Sequence, residues 1–292
     1  MSWLSDSLDQ LAKSPVCDYT LTAPGASEPS ALAELALVGH ARADAAKPVG
    51  EFLLSLQSRE GCIGMRRAED WPQWPTSLAM LAWKSLDEKK YAATIAAAIR
   101  WTLSKAGERI EREAAMGHNS MLAAWPWVEG THSWMEPSAF FTLALKAQGL
   151  RQHERTAEAV SLLIDRLLGD GGCNYGNTAV LGQTLRPHVQ PSGIVMLALV
   201  GEKDDSGRIL RTLDYLAKAC QPELTPHSLA WAVLGLAAHD RYPANASELL
   251  AAAYEKTMQR TRSLYTLALL ANAALGTQSL LITLPKTGAV AE

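Results

Sequence analysis

One pattern recurs six times along this chain, and a chain built from copies of one short unit buries its apolar faces by stacking those copies. In each copy a proline, or its stand-in, precedes a small hydroxyl residue, and an Ala/Leu-rich run follows. The copies are EPSALAELALVG (28–39), WPTSLAMLAWKS (74–85), EPSAFFTLALKA (136–147), QPSGIVMLALVG (190–201), TPHSLAWAVLGL (225–236) and TRSLYTLALLAN (261–272). The prolines fall at 29, 75, 137, 191 and 226, with Arg262 in the sixth place, so spacings run from 35 to 62 residues. Each proline is expected at the first position of a helix, where its missing N–H costs nothing. A more amphipathic stretch follows each of the first five runs, at 45–57, 88–107, 152–168, 206–219 and 244–258. In the second of these, Tyr91, Ile95 and Ile99 recur four apart, which is a helical stripe.

The unit is therefore an apolar helix followed by an amphipathic one. An all-round apolar helix requires burial on both sides, whereas an amphipathic one can face water. Six such pairs predict an all-α (α/α)6 toroid, with apolar helices inside and amphipathic helices outside. An open superhelix of the HEAT or armadillo type is the alternative, but its repeats are more regular in length. Only five outer helices are visible after the inner ones. The segment SWLSDSLDQLAK places Trp3, Leu4, Leu8 and Leu11 at helical spacing, and it is expected to pack as the twelfth helix between the first and last repeats. The organisation that follows is 1–26 as N-terminal helix and linker, 27–279 as the ring, and 280–292 as a C-terminal tail. The first hint of strand alternation is ITLP at 282–285.

Composition bounds the function. Lys+Arg is 27 against Asp+Glu 30, a net charge of −3, so a basic nucleic-acid binder is not expected. Cys17, Cys62, Cys173 and Cys220 are widely spaced and form no CxxC pair. The opening MSWLSDSLDQLAK carries Asp6 and Asp9 and no apolar core of a signal peptide, and runs such as LAWAVLGLAA (229–238) are too short to span a bilayer. The expected location is the cytoplasm.

The linkers carry a family resemblance. FLLSLQSREGCIG (52–64) has Gln57 followed four residues on by Gly61, and LLGDGGCNYGN (167–177) is its later counterpart. Both resemble degenerate copies of the QW motif, Q-x3-G-x-W, of squalene-hopene and oxidosqualene cyclases. They also resemble the prenyltransferase/squalene-oxidase repeat shared with protein prenyltransferase beta subunits. Ile63 stands in the Trp place of the first copy; in the second, Leu167 replaces Gln and Cys173 replaces Trp. WPWVEGTHSWMEPSAFFTLAL (125–145) is similar to this repeat as well. The resemblance covers roughly residues 27–277 and implies an (α/α)6 toroid around a cavity. It does not bring the family's catalysts with it. The nearest match to a DxDD acid motif is Glu202-Lys203-Asp204-Asp205, which reads as a turn and helix cap. Prenyltransferase beta subunits hold zinc with Asp, Cys and His; Asp170, Cys173 and His227 have those types in that order, with one residue too many between Asp and Cys. The expectation is no metal and no cofactor, with those three residues as the alternative.

In a closed ring the inner helices run parallel, so their N-termini gather at one end. The residues just upstream of them include Trp71, Trp74, Trp125, Trp127, Trp134 and Tyr175. Two readings of these aromatics are open: wedges between helix ends, or an aromatic-lined mouth for an apolar or cationic ligand. Helix N-termini also favour an anion there. The ligand-binding residues expected at this end are Trp71, Trp74, Trp127, Trp134, Tyr175, Arg186 and His188. Candidate acid–base residues are Glu136, Asp70 and His132, although Glu136, next to Pro137, is read first as a helix cap. The insertion 108–134, with His118 and Asn119, is the longest between repeats and is expected as a lid or partner surface. The leading function is a toroid binding an isoprenoid or other apolar small molecule, with prenyl transfer or cyclisation as the class if it is an enzyme. A non-catalytic, protein-binding disc is the second reading. A carbohydrate-active (α/α)6 barrel is the third, ranked last because no carboxylate pair stands out among the rim charges. Peripheral membrane contact and a protein partner are further expectations.

Overall fold

The structure is a computed structural model that describes residues 2–111 and 117–287. The inner helices are α2 (Ser27–Gly39), α4 (Thr76–Asp87), α6 (Met135–Ala147), α8 (Val189–Ala198), α10 (Pro226–Ala238) and α12 (Leu264–Ala274). The outer ones are α3 (Ala43–Ser55), α5 (Ala92–Ser104), α7 (Glu154–Asp165), α9 (Arg208–Ala219) and α11 (Ala246–Arg260). Each inner helix packs on the next inner one, and α12 returns to α2, so the ring is closed. The N-terminal helix α1 (Trp3–Lys13) packs on α12 and α2, burying Leu8 and Leu11, and completes the outer layer as expected. Asp6 accepts from Tyr254 of α11, and Arg42 reaches Asp9 at 2.5 Å, so both flanking repeats hold it.

Two details differ from the sequence reading. Only Pro226 sits at a first helical position; Pro29, Pro137 and Pro191 are third in α2, α6 and α8, and Pro75 precedes α4. All remain tolerated, because no N–H of the first turn has an intrahelical acceptor. The segment expected as a tail is helical: α13 (Leu280–Thr287) takes ITLP into a helix. It lies against α6, α2 and α4 and buries Leu281 and Ile282, closing the ring where the inner helices finish. Residues 288–292 of that tail lie outside the described residues.

The small hydroxyl that follows the proline in the first four repeats has a structural reason. Ser30 Oγ bonds both the N–H and C=O of Cys17 at 3.1 Å, and Ser138 Oγ does the same to Trp125 at 3.2 and 3.1 Å. Thr76 Oγ1 accepts from Ile63 N at 2.9 Å, and Ser192 Oγ from Cys173 N at 2.9 Å. Ile63 and Cys173 are the Trp-place residues of the two degenerate motifs. Four of the inner helices, α2, α4, α6 and α8, thus clamp the loop that enters them, so these loop amides keep a hydrogen bond on burial. Gln57 and Gly61 act in the same junction. Gln57 Nε2 donates to Gly61 O at 2.9 Å and Thr94 O at 3.0 Å, and Gly61, at φ 105°, lies against the Ala97 backbone. Ser138→Ala is expected to destabilise the fold by about 1–3 kcal/mol, since it leaves the buried Trp125 amide unpaired; urea unfolding measures this.

Buried aromatic side chains meet inside the ring. Phe140 of α6 meets Trp231 of α10 at 5.6 Å between ring centroids, across the position of α8, and stacks on Trp74 at 5.5 Å. Phe140 and Trp231 are both buried. Among the described residues no helix is long and apolar enough to cross a membrane.

Candidate functional site

The two EPS repeats put equivalent glutamates, Glu28 and Glu136, at the second positions of α2 and α6. Both are nearly fully buried, at 7% and 6% exposure. Neither forms an ion pair among the described residues; their partners are neutral. Glu28 accepts from the Tyr265 hydroxyl at 2.7 Å and from the Tyr19 hydroxyl. Glu136 accepts from Gln190 Nε2 at 3.1 Å, which ties α6 to α8. It makes no capping bond to its own helix, so the expectation of a cap is corrected. A cap needs the side chain to fold back on the helix end, and burial among neighbouring helices turns it inward instead.

Burial raises both carboxyls above the usual range, that of Glu136 to about 7, with the nearby Glu28 charge adding to the rise. The charge of Glu136 also helps to raise the Tyr175 and Tyr265 hydroxyls. A supporting shell fixes Glu28. Asp18, with a fully buried side chain, takes a two-point contact from Arg66 at 2.8 and 3.0 Å. The Arg66 guanidinium lies 5.8 Å from the Tyr19 ring centroid. Tyr19 in turn meets Tyr265 edge-on at 5.1 Å. His227 of α10 packs on Tyr265 at 4.9 Å, and burial lowers its basicity.

The expected aromatic cluster divides in two. Trp74 and Trp127 meet edge-on at 5.0 Å, and with the half-exposed Trp71 they line a cleft that also holds Lys105 and Glu129, ion-paired at 2.9 Å. Trp134 packs with His132 at 4.5 Å, and Tyr175 with His188 at 4.9 Å. Tyr175 accepts the Met135 amide through its own carbonyl at 2.8 Å, so this second group borders Glu136. Trp125 is a wedge: it is buried, donates Nε1–H to Thr102 O at 2.9 Å and lies under Arg155. Arg186 and Asp70 are exposed. His132 faces Arg166, whose charge together with burial lowers its basicity.

The residues of the zinc alternative are not gathered. Among the described residues no three His, Cys, Asp or Glu side chains group as a metal site. Asp170 is exposed, Cys173 is buried with its thiol pushed up to about 12, and His227 Nε2 pairs with Thr266 Oγ1 at 3.2 Å. Asp204 caps its turn, accepting from Ser206 N and Ile209 N at 2.9 and 2.7 Å.

Glu136 is among the candidates expected from sequence, whereas Glu28, Tyr19, Gln190 and Tyr265 are not. The repeat alignment held the signal for Glu28: both glutamates occupy the same place in the same tripeptide.

No protein-family model matches the chain and no curated protein matches it, so the resemblance to squalene cyclases and prenyltransferases gains no support from these comparisons. A solved structure described as a glycosidase variant is similar over 95% of this chain and 96% of its own, at 12% sequence identity and a TM-score of 0.47.

Proposed function

We propose that the protein is a carbohydrate-active enzyme that cleaves a glycosidic bond, with Glu136 as general acid and Glu28 as the partner carboxylate. The observation that carries this reading is the pair itself: two buried glutamates at one end of the ring, unpaired with any base, one held protonated near neutral pH. Glycoside cleavage uses two carboxyl groups, one with a raised pKa that protonates the leaving oxygen. Tyr19 and Tyr265 hold Glu28 as the acceptor that acts on the sugar carbon or on a water. Tyr175, Trp134 and His188 offer ring faces to the C–H side of a sugar at the same end.

The chemistry of the pair separates this reading from the isoprenoid one. A carboxyl made less acidic by burial suits a glycosidic oxygen and is a poor proton source for an alkene. The buried contact of Phe140 with Trp231 inside the ring favours a protein-binding disc as the second reading.

The test is reducing-end release from a panel of oligosaccharides and polysaccharides. Glu136→Gln is expected to lower kcat at least about 100-fold on the best substrate. Wild-type kcat should fall as pH rises through about 7, where Glu136 loses its proton. If no glycan is cleaved, and both Glu28→Gln and Glu136→Gln only alter melting temperature, the pair is structural and the disc reading stands.

A further inference from the structure

The insertion before α6 builds a second site that the glutamate pair does not use. His118 and Ser120 from the insertion, His132 before α6, Arg166 at the C-terminal cap of α7 and Asn177 line a cavity of about 170 Å³. A single water needs roughly 10–15 Å³ of such space, so the cavity has room for a polyatomic ligand. Arg166 and Ser120 are buried, at 3% and 5% exposure. Arg166 Nη1 donates to Ser133 O at 2.5 Å and so anchors the loop into α6. Its Nε–H has no partner, and neither do Ser120 Oγ and His132 Nε2.

Three buried polar atoms without partners, on residues that line one cavity, would each cost free energy if nothing met them. The charge balance says what kind of group meets them. No carboxylate ion-pairs with Arg166 among the described residues, and the neighbouring Asp165 spends Oδ2 on the Asn119 amide at 2.8 Å. Burial makes the Arg166 guanidinium less basic, and the charge of the adjacent Asp165 offsets this only in part, without a direct ion pair among the described residues. His118 is already engaged, with Nδ1 3.3 Å from Thr178 Oγ1, and serves as wall.

We infer that this cavity binds a small oxyanion, held by the Arg166 Nε–H and by the Ser120 hydroxyl and His132 Nε2 as further donors. Guanidinium and hydroxyl donors suit phosphate, sulfate and carboxylate alike. The probes are therefore sodium phosphate, sulfate and acetate, with chloride at equal ionic strength as control. Melting of the full chain is followed against concentration, and binding is measured by calorimetry. The expected result is saturable stabilisation by at least one oxyanion and none by chloride; the tetrahedral anions against acetate distinguish an inorganic ligand from a carboxylate. Arg166→Gln should abolish the effect. Because Arg166 also anchors Ser133, Ser120→Ala is the second variant: it leaves that anchor intact and should weaken binding roughly tenfold, the loss expected for one hydrogen bond to a charged ligand. No oxyanion stabilisation beyond chloride, or equal stabilisation in wild type and Ser120→Ala, overturns the site and makes it a water pocket.

Discussion

Gly193→Ala is expected to destabilise the ring by about 3 kcal/mol or more, although alanine is the better helix former by roughly 1 kcal/mol. Gly193 is in the middle of α8, and a Cβ there would overlap the carbonyl oxygen of Trp231 in α10. The partner position is equally tight: a Cβ at Gly235 would be 2.7 Å from the Gly193 carbonyl and 2.9 Å from its Cα. Backbone atoms oppose each other at this crossing, so no side chain can move aside, and the closed ring prevents α8 from retreating without opening its other contacts. The matching place holds Ala31 in α2, Ala139 in α6 and Ser228 in α10, so the requirement belongs to the α8–α10 crossing and not to the repeat. For a domain of this size each kcal/mol moves the melting temperature by roughly 2–4 °C. A fall of about 6 °C or more is the expected reading. Gly169→Ala, where a Cβ meets nothing within 4 Å, is the control and should change little. Equal melting temperatures for Gly193→Ala and wild type would mean that the two helices are further apart than described.

The second large effect is a pH-dependent stability that centres on Glu34. This residue of α2 is fully buried; one oxygen accepts from Ser85 Oγ at 3.1 Å and the other has no partner. Burial pushes its carboxyl up to about 8 from an ordinary 4.5. Between those values the folded chain holds a proton that the unfolded chain has released, so stability falls as pH rises. The contribution is complete below about 4.5, declines through the interval and levels off above about 8. Glu34→Gln removes the titration without removing the volume. The variant should therefore gain on wild type as pH rises, by about 3 kcal/mol between pH 5 and pH 8 as an order of magnitude. Urea midpoints of both proteins across that range give the difference directly, and other titrating groups cancel in it. A difference that stays constant with pH would show that Glu34 is ionised, or solvated, in the folded protein.

The helix pairs, their inner and outer roles, the closing of the ring and the part of α1 as twelfth helix were all legible in the chain. Those features rest on local regularities. A 3.6-residue period, an Ala/Leu run apolar on every face, and a hydroxyl beside each helix start are written within a dozen residues of one another. Even the loop clamps of Ser30, Thr76, Ser138 and Ser192 were visible as a repeated residue type, although their targets were not.

What tertiary structure alone decided is which polar groups lose water, and in whose company. Glu28 and Glu136 are far apart in sequence, and along the chain they look like any of the other rim carboxylates. Ring closure buries both, withholds a basic partner among the described residues, and raises both carboxyls above their ordinary range. Asp70 has the same chemistry in sequence but stays in water. Arg166 likewise loses water only in the folded ring, where it lines one cavity with Ser120 and His132. The C-terminal segment shows the same limit: ITLP resembles a strand by itself and becomes a helix because α2, α4 and α6 offer it an apolar seat. Desolvation is a property of the whole assembly, and no window of sequence contains it.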